Sequence, residues 1–191
     1  MRYWKVDQLG RSIVLIGMMG AGKSSVGDCL RRQTGSGLLD TDEIVASKFG
    51  MSIPEIFAKH GEKKFREAET EALRRMRTQE QAIIITGGGI VLRKENVEIL
   101  KKQPVIVWLD GDKETLFARA SRKQNRPLLQ TKNPRKAFSA ILDARRPLYA
   151  NIANIRVDTS ALTDEEVAVA ILAKLRRMNP KPESPIRAKA S

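Results

Sequence analysis

The stretch IVLIGMMGAGKSSVG, residues 13–27, holds residues whose types and spacing suit phosphate chemistry. From Gly17 it has the spacing Gly-x-x-x-x-Gly-Lys-Ser, preceded by an apolar run. Glycines let the backbone turn so that successive N–H groups point at phosphate oxygens, and the following helix adds the positive end of its dipole. In this pattern Lys23 reaches the β and γ phosphates and the Ser24 hydroxyl ligates Mg²⁺. The motif therefore predicts a site for a nucleoside triphosphate. The predicted nucleotide contacts from the loop are Gly20, Ala21, Gly22, Lys23, Ser24 and Ser25.

Two carboxylates follow the next apolar segment. The sequence LLDTDEIV places Asp40 and Asp42 two positions apart at the predicted carboxyl edge of a sheet, where open α/β folds bind ligands. Residues two apart on an extended chain point the same way. Asp40 would help to hold Mg²⁺ through water, and Asp42 would accept a proton from an acceptor hydroxyl or orient it. Alternatively, Asp42 caps a helix that begins at Glu43, and the two interpretations are compatible.

A charged pair and a run of glycines form the next group. Arg66 and Glu69 are three residues apart in a helical pattern, so they can pair on one face. Such a pair is usually a solvated salt bridge worth less than about 1 kcal/mol. The segment AIIITGGGI then sends a strand into Gly87, Gly88 and Gly89. Each glycine costs roughly 0.5 to 1 kcal/mol relative to alanine in regular structure, so the run favours close backbone approach to a ligand.

Arginines in two further segments are candidates for anion binding. Arginine forks match phosphate and carboxylate, and an arginine on a loop can close over a transferring phosphoryl group. Any single arginine of this kind is more often a surface residue. The candidates are Arg119, Arg122, Arg126, Arg145 and Arg146.

Five apolar, β-rich segments alternate with helical stretches and must position these residues. This alternation predicts an α/β fold with a parallel sheet covered on both faces. The segments are 12–17, 37–41, 82–86, 105–110 and 154–159. Capping boxes at 52–55 and 163–166, and Asn133 before Pro134, predict helix starts. The polar, basic stretch 120–134 predicts a mobile loop of functional length.

Composition fits one globular domain. The chain has 191 residues, of which 41% are hydrophobic, and no apolar run long enough to span a bilayer or to form a signal peptide. The lone Cys29 excludes an internal disulfide and suits a reducing compartment. A net charge of +13 is compatible with nucleic acid, a membrane surface or small anions, and scattered arginines favour anions in a cleft. We therefore expect a cytoplasmic protein without a membrane or nucleic-acid partner.

Taken in chain order, these motifs make the sequence resemble the shikimate kinases, relatives of the nucleoside monophosphate kinases. The resemblance covers roughly residues 11–176, and its motifs are GMMGAGKSS, the DTD of LLDTDEIV, FREAE, TGGG, and RPLL with the later RRPLY. It implies a three-layer P-loop kinase fold: a five-stranded parallel sheet flanked by helices, with a lid at about 120–133 and a shikimate-binding region at about 41–70. One domain over 1–178, a disordered basic tail over 179–191 and a monomer are expected. The implied reaction is transfer of the ATP γ-phosphoryl group to the 3-hydroxyl of shikimate, with Mg²⁺.

The resemblance also assigns roles to individual positions. Asp42 is the candidate base and contacts the shikimate hydroxyls, while Ser24 and Asp40 support Mg²⁺. For the acceptor, Arg66 and Arg145 bind the shikimate carboxylate, and the glycines 87–89 (Gly87, Gly88 and Gly89) line the shikimate pocket. For the nucleotide, Lys23 and Arg126 hold the γ-phosphoryl group, and Arg119 stacks on adenine. The choice of Arg145 over Arg146 rests on the spacing Arg-x-Pro-Leu-Tyr.

Two rival hypotheses remain at this stage. One is a P-loop kinase of another small hydroxy acid, such as gluconate, or of a nucleoside monophosphate. This hypothesis gives no common function to Arg66, Arg145 and the three glycines. The other is a P-loop protein that binds nucleic acid through its basic surface, which the sequence disfavours because it offers no aromatic and basic stacking platform.

Overall fold

The five predicted strands form one fully parallel sheet in a computed structural model that describes residues 11–76, 82–122 and 127–178. The strands are β1 (Ile13–Gly17), β2 (Gly37–Asp40), β3 (Ala82–Ile85), β4 (Val105–Asp110) and β5 (Ile155–Asp158). Their spatial order is β2-β3-β1-β4-β5, and every neighbouring pair is parallel. The predicted α/β class and strand number are confirmed, and each strand lies within its predicted segment.

Seven helices connect and cover the strands in the described residues. They are α1 (Lys23–Thr34), α2 (Thr41–Phe49), α3 (Ile53–Met76), α4 (Lys94–Leu100), α5 (Lys113–Ser121), α6 (Pro134–Ile152) and α7 (Asp164–Met178). Two short 3-10 turns lie at Ile90–Leu92 and Pro127–Leu129. Helix α3 is two helical segments joined at Gly61, whose φ of 77° is accessible mainly to glycine.

Two apolar clusters cover the opposite faces of the sheet. Ile13 and Leu15 of β1 belong to the first, which includes residues of α1, α5 and α7, and the alternate residues Val14 and Ile16 belong to the second. Helix α6 crosses between the two clusters, because Phe138 belongs to one and Tyr149 to the other. A third cluster joins α2 to α3 beside the sheet. Every residue of β1, β3 and β4 is therefore buried, and the core supports the carboxyl ends of these three strands.

The predicted helix starts are found with one correction. Thr163 and Glu166 form a capping box, with Thr163 N donating to Glu166 Oε2 at 2.8 Å and Glu166 N donating to Thr163 Oγ1 at 3.2 Å. Helix α2, however, begins at Thr41 and not at Glu43, and its N-cap is Asp40. The alternative in which Asp42 caps this helix is wrong, because Asp42 lies inside the first turn.

The ends of the predicted loop 120–134 are also more ordered than its composition suggested. Helix α5 continues through Ser121, where Ala120 is buried, and the turn Pro127–Leu129 contacts the core through Leu128 and Leu129. Residues 123–126, and with them the predicted lid residue Arg126, lie outside the described residues, as does the predicted tail 179–191. Across the parts of the chain that are described, no helix combines the length and apolar character needed to traverse a membrane.

Candidate active site

The phosphate-binding motif forms the loop between β1 and α1. Gly22 is the N-cap of α1 with φ of 84°, and a glycine has no side chain with which to cap the first-turn N–H groups. Uncapped N–H groups at a helix start, together with the helix dipole, favour an anion. The Lys23 ammonium lies across the loop and donates to the carbonyls of Gly17 (2.9 Å) and Met18 (3.1 Å). The loop therefore has the donors and the charge that a nucleotide phosphate needs.

A cavity of about 570 Å³, which we call the donor cavity, opens over this loop. Five of the six predicted loop contacts line it, as do Arg119 and Arg122. The sixth, Ala21, is fully buried, and its N–H donates to Met18 O at 3.2 Å. The residues that line the cavity from the loop and its surroundings are Met19, Gly20, Gly22, Lys23, Ser24, Ser25, Asp40, Asp42, Thr86, Gly87 and Gly88.

Another part of the wall of this donor cavity comes from the loop after β5, where the family resemblance implies an adenine-binding loop although SALTDEE lacks the basic and proline residues of some relatives. Leu162, Thr163, Asp164 and Glu165 line it. Arg119 holds that loop from α5, donating to Thr159 O at 2.9 Å and to Thr159 Oγ1 at 3.1 Å. The residues themselves add one signal, their place after the carboxyl end of a strand, because the segment carries no phosphate-type motif.

A second cavity, of about 590 Å³, adjoins the first. Its polar side carries Asp42, Arg66, Glu69 and Arg145, together with the glycines 87–89. Its apolar side was not predicted, since these residues resemble ordinary core residues in sequence. The apolar residues are Met19, Ile53, Pro54, Phe57, Phe65, Pro127 and Leu128. We call it the acceptor cavity.

The glycine run makes room for the charged side chains of the acceptor cavity. A Cβ at Gly87 would lie 2.5 Å from Glu69 Oε1 and 2.7 Å from Asp42 Oδ1. A Cβ at Gly89 would lie 2.5 Å from the guanidinium carbon of Arg66. Close approach to a ligand was predicted, and what the structure shows is close approach to the protein's own polar side chains.

The Arg66–Glu69 pair is buried, which corrects the expectation of a solvated salt bridge. Arg66 Nη1 donates to Glu69 Oε2 at 2.9 Å, and the side chains are 11% and 0% exposed. Arg66 also binds Glu62 Oε1 through Nη2 at 3.0 Å. Burial raises the pKa of the Glu69 carboxyl, and the Arg66 guanidinium opposes that rise. Glu69 Oε1 has no hydrogen-bond partner among the described residues. Glu69 is thus a site residue that the sequence analysis missed.

Neighbouring arginines on α6 point to different places. Arg145 is buried and lines the acceptor cavity. Arg146 turns to the other side, where its Nη2 donates to Gly111 O at 2.6 Å and to the buried Asp110 at 3.4 Å. Adjacent residues on a helix are about 100° apart, so only one of the two can face the cavity. That one is Arg145.

Asp40 and Asp42 are close together, though not as neighbours on an extended strand. Asp40 Oδ1 accepts a hydrogen bond from Asp42 N at 2.8 Å, so the end of β2 and the start of α2 fix both. Burial, and then the charge of Asp42, raise the pKa of Asp40 to about 6. Asp42 lies in the wall shared by the two cavities, together with Met19, Gly87 and Gly88. A group held in the acceptor cavity can therefore meet a phosphate above the loop beside Asp42.

The donor cavity suits a magnesium ion that arrives with its nucleotide. Ser24 and Asp40 supply a hydroxyl and a carboxylate to the same cavity. Magnesium commonly keeps several waters and takes one or two protein oxygens together with substrate phosphates, so a small ligand set fits. Over residues 11–76, 82–122 and 127–178, no group of three or more His, Cys, Asp or Glu side chains is arranged to hold a metal by itself.

A phosphate-binding loop at the end of β1 that shares a wall with a cation-lined second cavity defines a small-molecule kinase of the P-loop class. A model of the shikimate kinase family, described as "Shikimate kinase", matches residues 19–176. The chain therefore belongs to the shikimate kinase family, whose members are ATP-dependent phosphotransferases.

Curated relatives and solved structures agree with this family. A shikimate kinase from Thermodesulfovibrio yellowstonii is 42% identical over 169 residues, which cover 88% of this chain and 97% of the relative. One from Moorella thermoacetica is 45% identical over 165 residues, which cover 86% and 94%. The solved structure of shikimate kinase from Acinetobacter baumannii in complex with shikimate is 36% identical, with a TM-score of 0.86 and coverage of 90% and 96%.

A more distant likeness bears on the fold alone. A gluconokinase from Sinorhizobium meliloti superposes with a TM-score of 0.58 and is 20% identical, over 89% of this chain and 94% of that one. This likeness shows the P-loop kinase architecture and does not favour gluconate as the acceptor.

Proposed function

We propose that this chain transfers the γ-phosphoryl group of ATP to the 3-hydroxyl of shikimate, giving shikimate 3-phosphate and ADP. The observation that carries the proposal is the convergence of Arg66, Arg145 and Asp42 on one cavity that shares its wall with the phosphate-binding loop. Two guanidinium groups can donate charge-assisted hydrogen bonds to a carboxylate, and a carboxylate can accept a hydrogen bond from a hydroxyl. A hydroxylated carboxylic acid matches this combination.

The residues divide the reaction between holding and proton transfer. Arg66 and Arg145 bind the acceptor carboxylate, so the hydroxyl points toward Asp42. Asp42 takes the hydroxyl proton as the 3-oxygen forms its bond to the γ-phosphorus. The bond from that phosphorus to the β,γ-bridging oxygen breaks, and the electron pair leaves with ADP. Lys23 and the uncapped start of α1 stabilise the charge on the transferring group, and Arg126 is proposed to join them from the lid.

Ser24, and Asp40 through water, are the residues that would hold Mg²⁺ beside the phosphates. When bound, the ion neutralises phosphate charge. Arg119 is proposed to stack on adenine, since it lines the donor cavity from α5. ATP and shikimate are both anions, so binding them in the two cavities gives the positive charge of the chain a use that requires no nucleic-acid partner. We further propose a cytoplasmic monomer with one domain over residues 1–178.

A coupled assay of ADP release tests the proposal directly. Purified protein with ATP and Mg²⁺ is offered shikimate, quinate, gluconate and nucleoside monophosphates in turn. We expect ADP release that depends on shikimate and is much weaker with the other acceptors. Release that depends on another acceptor, with none for shikimate, contradicts the proposed function.

Variants separate the two proposed roles in the acceptor cavity. Asp42→Asn should lower kcat by about 10²- to 10⁴-fold, the range for a lost general base. Arg66→Ala should instead raise the KM for shikimate by about 10- to 100-fold, because it removes a charged hydrogen bond. Asp28→Asn on α1 and Arg74→Ala on α3 are matched controls, since both residues are exposed and their ion pairs lie outside the two cavities. Wild-type kinetics in Asp42→Asn would rule out the base role.

A further inference from the structure

Tyr149 lies beneath the acceptor cavity, one helical turn after Arg145 on α6. Residues four apart share a helix face, so the two side chains lie one above the other. Tyr149 is fully buried and packs against Trp108 of β4, with ring centroids 6.0 Å apart. Its ring is therefore part of the core, while its hydroxyl extends toward the polar side of the cavity.

The Tyr149 hydroxyl contacts one group that faces the acceptor cavity and lies near a second. It donates a hydrogen bond to the carbonyl oxygen of Gly88. Burial raises the pKa of this hydroxyl, and the positive charge of the Arg145 guanidinium opposes that rise. A phenol has one proton to donate and lone pairs to accept, whereas a guanidinium only donates. The hydroxyl gives its proton to Gly88, so its lone pairs face the environment that the neighbouring Arg145 supplies.

This arrangement links parts of the chain that are far apart in sequence. Gly88 follows β3, and Arg145 lies on α6, 57 positions later. A Cβ placed at Gly88 would be 3.6 Å from Arg145 Nη1, so the glycine backbone and the guanidinium are neighbours. Arg145 is also near Glu69, whose charge it partly offsets. Without the phenol oxygen, the Gly88 carbonyl beside this guanidinium loses its hydrogen-bond donor.

We propose that Tyr149 is a positioning residue, whose hydroxyl fixes the Gly88 carbonyl and the Arg145 guanidinium in the orientation that receives the acceptor carboxylate. The inference rests on the proposed function, because it assumes a carboxylate at Arg145. Burial raises the pKa of Tyr149 to about 12, so the hydroxyl keeps the proton that it donates throughout the neutral range. The ring supplies packing, and the oxygen supplies the alignment.

Tyr149→Phe tests the oxygen alone, because it keeps the ring. We expect the KM and the calorimetric Kd for shikimate to rise about five- to tenfold, the size typical of one lost hydrogen bond. We expect kcat and the KM for ATP to stay within about twofold, because Lys23 and Asp42 are untouched. The thermal midpoint should fall by no more than about 4 °C. Unchanged shikimate binding in a folded variant overturns the inference.

Two further measurements distinguish positioning from packing. In an Arg145→Ala background, adding Tyr149→Phe should change kcat/KM by about twofold or less, because the residue through which it acts is gone. An equal effect in both backgrounds overturns the inference. Phe138→Leu is the control for lost packing on the same helix, since Phe138 is buried in the other cluster. It should lower the thermal midpoint without raising the KM for shikimate.

The same experiments separate this inference from the proposed function. If the wild-type protein neither binds nor phosphorylates shikimate, the proposed function is wrong. If the wild type does both and Tyr149→Phe binds shikimate equally well, only the role of Tyr149 is wrong.

Discussion

Asp40 joins local structure to the chemistry of the site at the level of a single residue. It ends β2, caps α2 through Asp42 N, and lines the donor cavity. Burial and the nearby Asp42 raise its pKa to about 6, so the folded protein holds a proton there more tightly than the unfolded chain does. The stability linked to Asp40 is therefore fully present below about pH 4 and is lost as the pH rises through about 6.

Asp40→Asn should remove this pH dependence while keeping the cap, because asparagine also accepts from the N–H group. Relative to wild type, we expect the variant to gain about 1 to 2 kcal/mol in unfolding free energy between pH 4.5 and pH 7.5, after allowing for solvent access. Urea unfolding at the two pH values, in the presence of a chelator, measures the difference. If the variant and the wild type differ in unfolding free energy by the same amount at both pH values, the pKa assignment is contradicted.

Asp28→Asn serves as the opposite control. A hydrogen bond from Arg31 lowers the pKa of the exposed Asp28, so its stabilising effect is present at high pH and is lost as the pH falls. The sign of its pH dependence should therefore be the reverse of that for Asp40.

Single residues were predictable from sequence where their type is tied to a fixed motif. Lys23 and Ser24 lie at the start of α1, where the spacing of the phosphate-binding motif places them, since a short loop between β1 and α1 leaves little freedom. Glu69 was not recognised as part of a site because burial depends on how α3 packs, and a pair three residues apart has the same spacing on any helix face. Tyr149 was missed for the same reason, since only tertiary contact brings its hydroxyl to Gly88.

At the level of elements, the segment after β3 and helix α3 are fitted to one another. The guanidinium of Arg66 lies against Gly89, while Glu69 and Asp42 lie against Gly87. The sheet holds the glycine run, because Thr86 Oγ1 donates to Leu15 O at 2.9 Å and Gly87 N donates to Thr41 Oγ1 at 3.0 Å. The Arg66 guanidinium thus occupies the space that a side chain at position 89 would fill.

Gly89→Ala should displace the Arg66 guanidinium and leave the fold largely intact, because the atoms in the way are the end of a flexible side chain. We expect the KM for shikimate to rise about tenfold or more, with a small change in thermal midpoint. Gly37→Ala is the matched control, since a Cβ there meets nothing within 4 Å and should not alter kinetics. Steady-state kinetics and thermal unfolding of both variants give the comparison, and a wild-type KM in Gly89→Ala would refute the steric account.

The sequence predicted the elements well because their hydrophobic patterns are local. All five strands and the N-caps at Asn133 and Thr163 follow directly from residue types. The start of α2 was missed by two residues because Asp40 and Asp42 are both good caps, and the end of β2 determines which one is used. The loop after α5 was judged polar and mobile from composition, which does not reveal that Leu128 and Leu129 contact the core.

At the level of the whole molecule, positive charge is useful because both proposed substrates are anions. Part of the net charge of +13 lies in the segment 179–191, which is outside the described residues. Helix α7 ends at Met178, and its buried residues include Val167, Ile171 and Leu175. The catalytic domain is therefore expected to be complete without that segment.

Deletion of residues 179–191 should leave kcat and both KM values within about twofold of those of the full chain. The thermal midpoint should change by no more than a few degrees. Kinetics at low and moderate salt, compared between the full and shortened chains, measure this. A large loss of nucleotide affinity on deletion, especially at low salt, would place the segment at the donor cavity and contradict the proposed domain boundary.

The shared wall formed by Met19, Asp42, Gly87 and Gly88 has a consequence for inhibition. Because the two cavities share these four lining residues, one molecule that joins an adenosine phosphate to a hydroxylated cyclic acid through a short linker would occupy both. Once one end is bound, the other end meets its cavity at a millimolar effective concentration, so affinity increases without any new contact. A bisubstrate compound of this kind would discriminate against kinases that share only the nucleotide loop, because its second half requires Arg66 and Arg145.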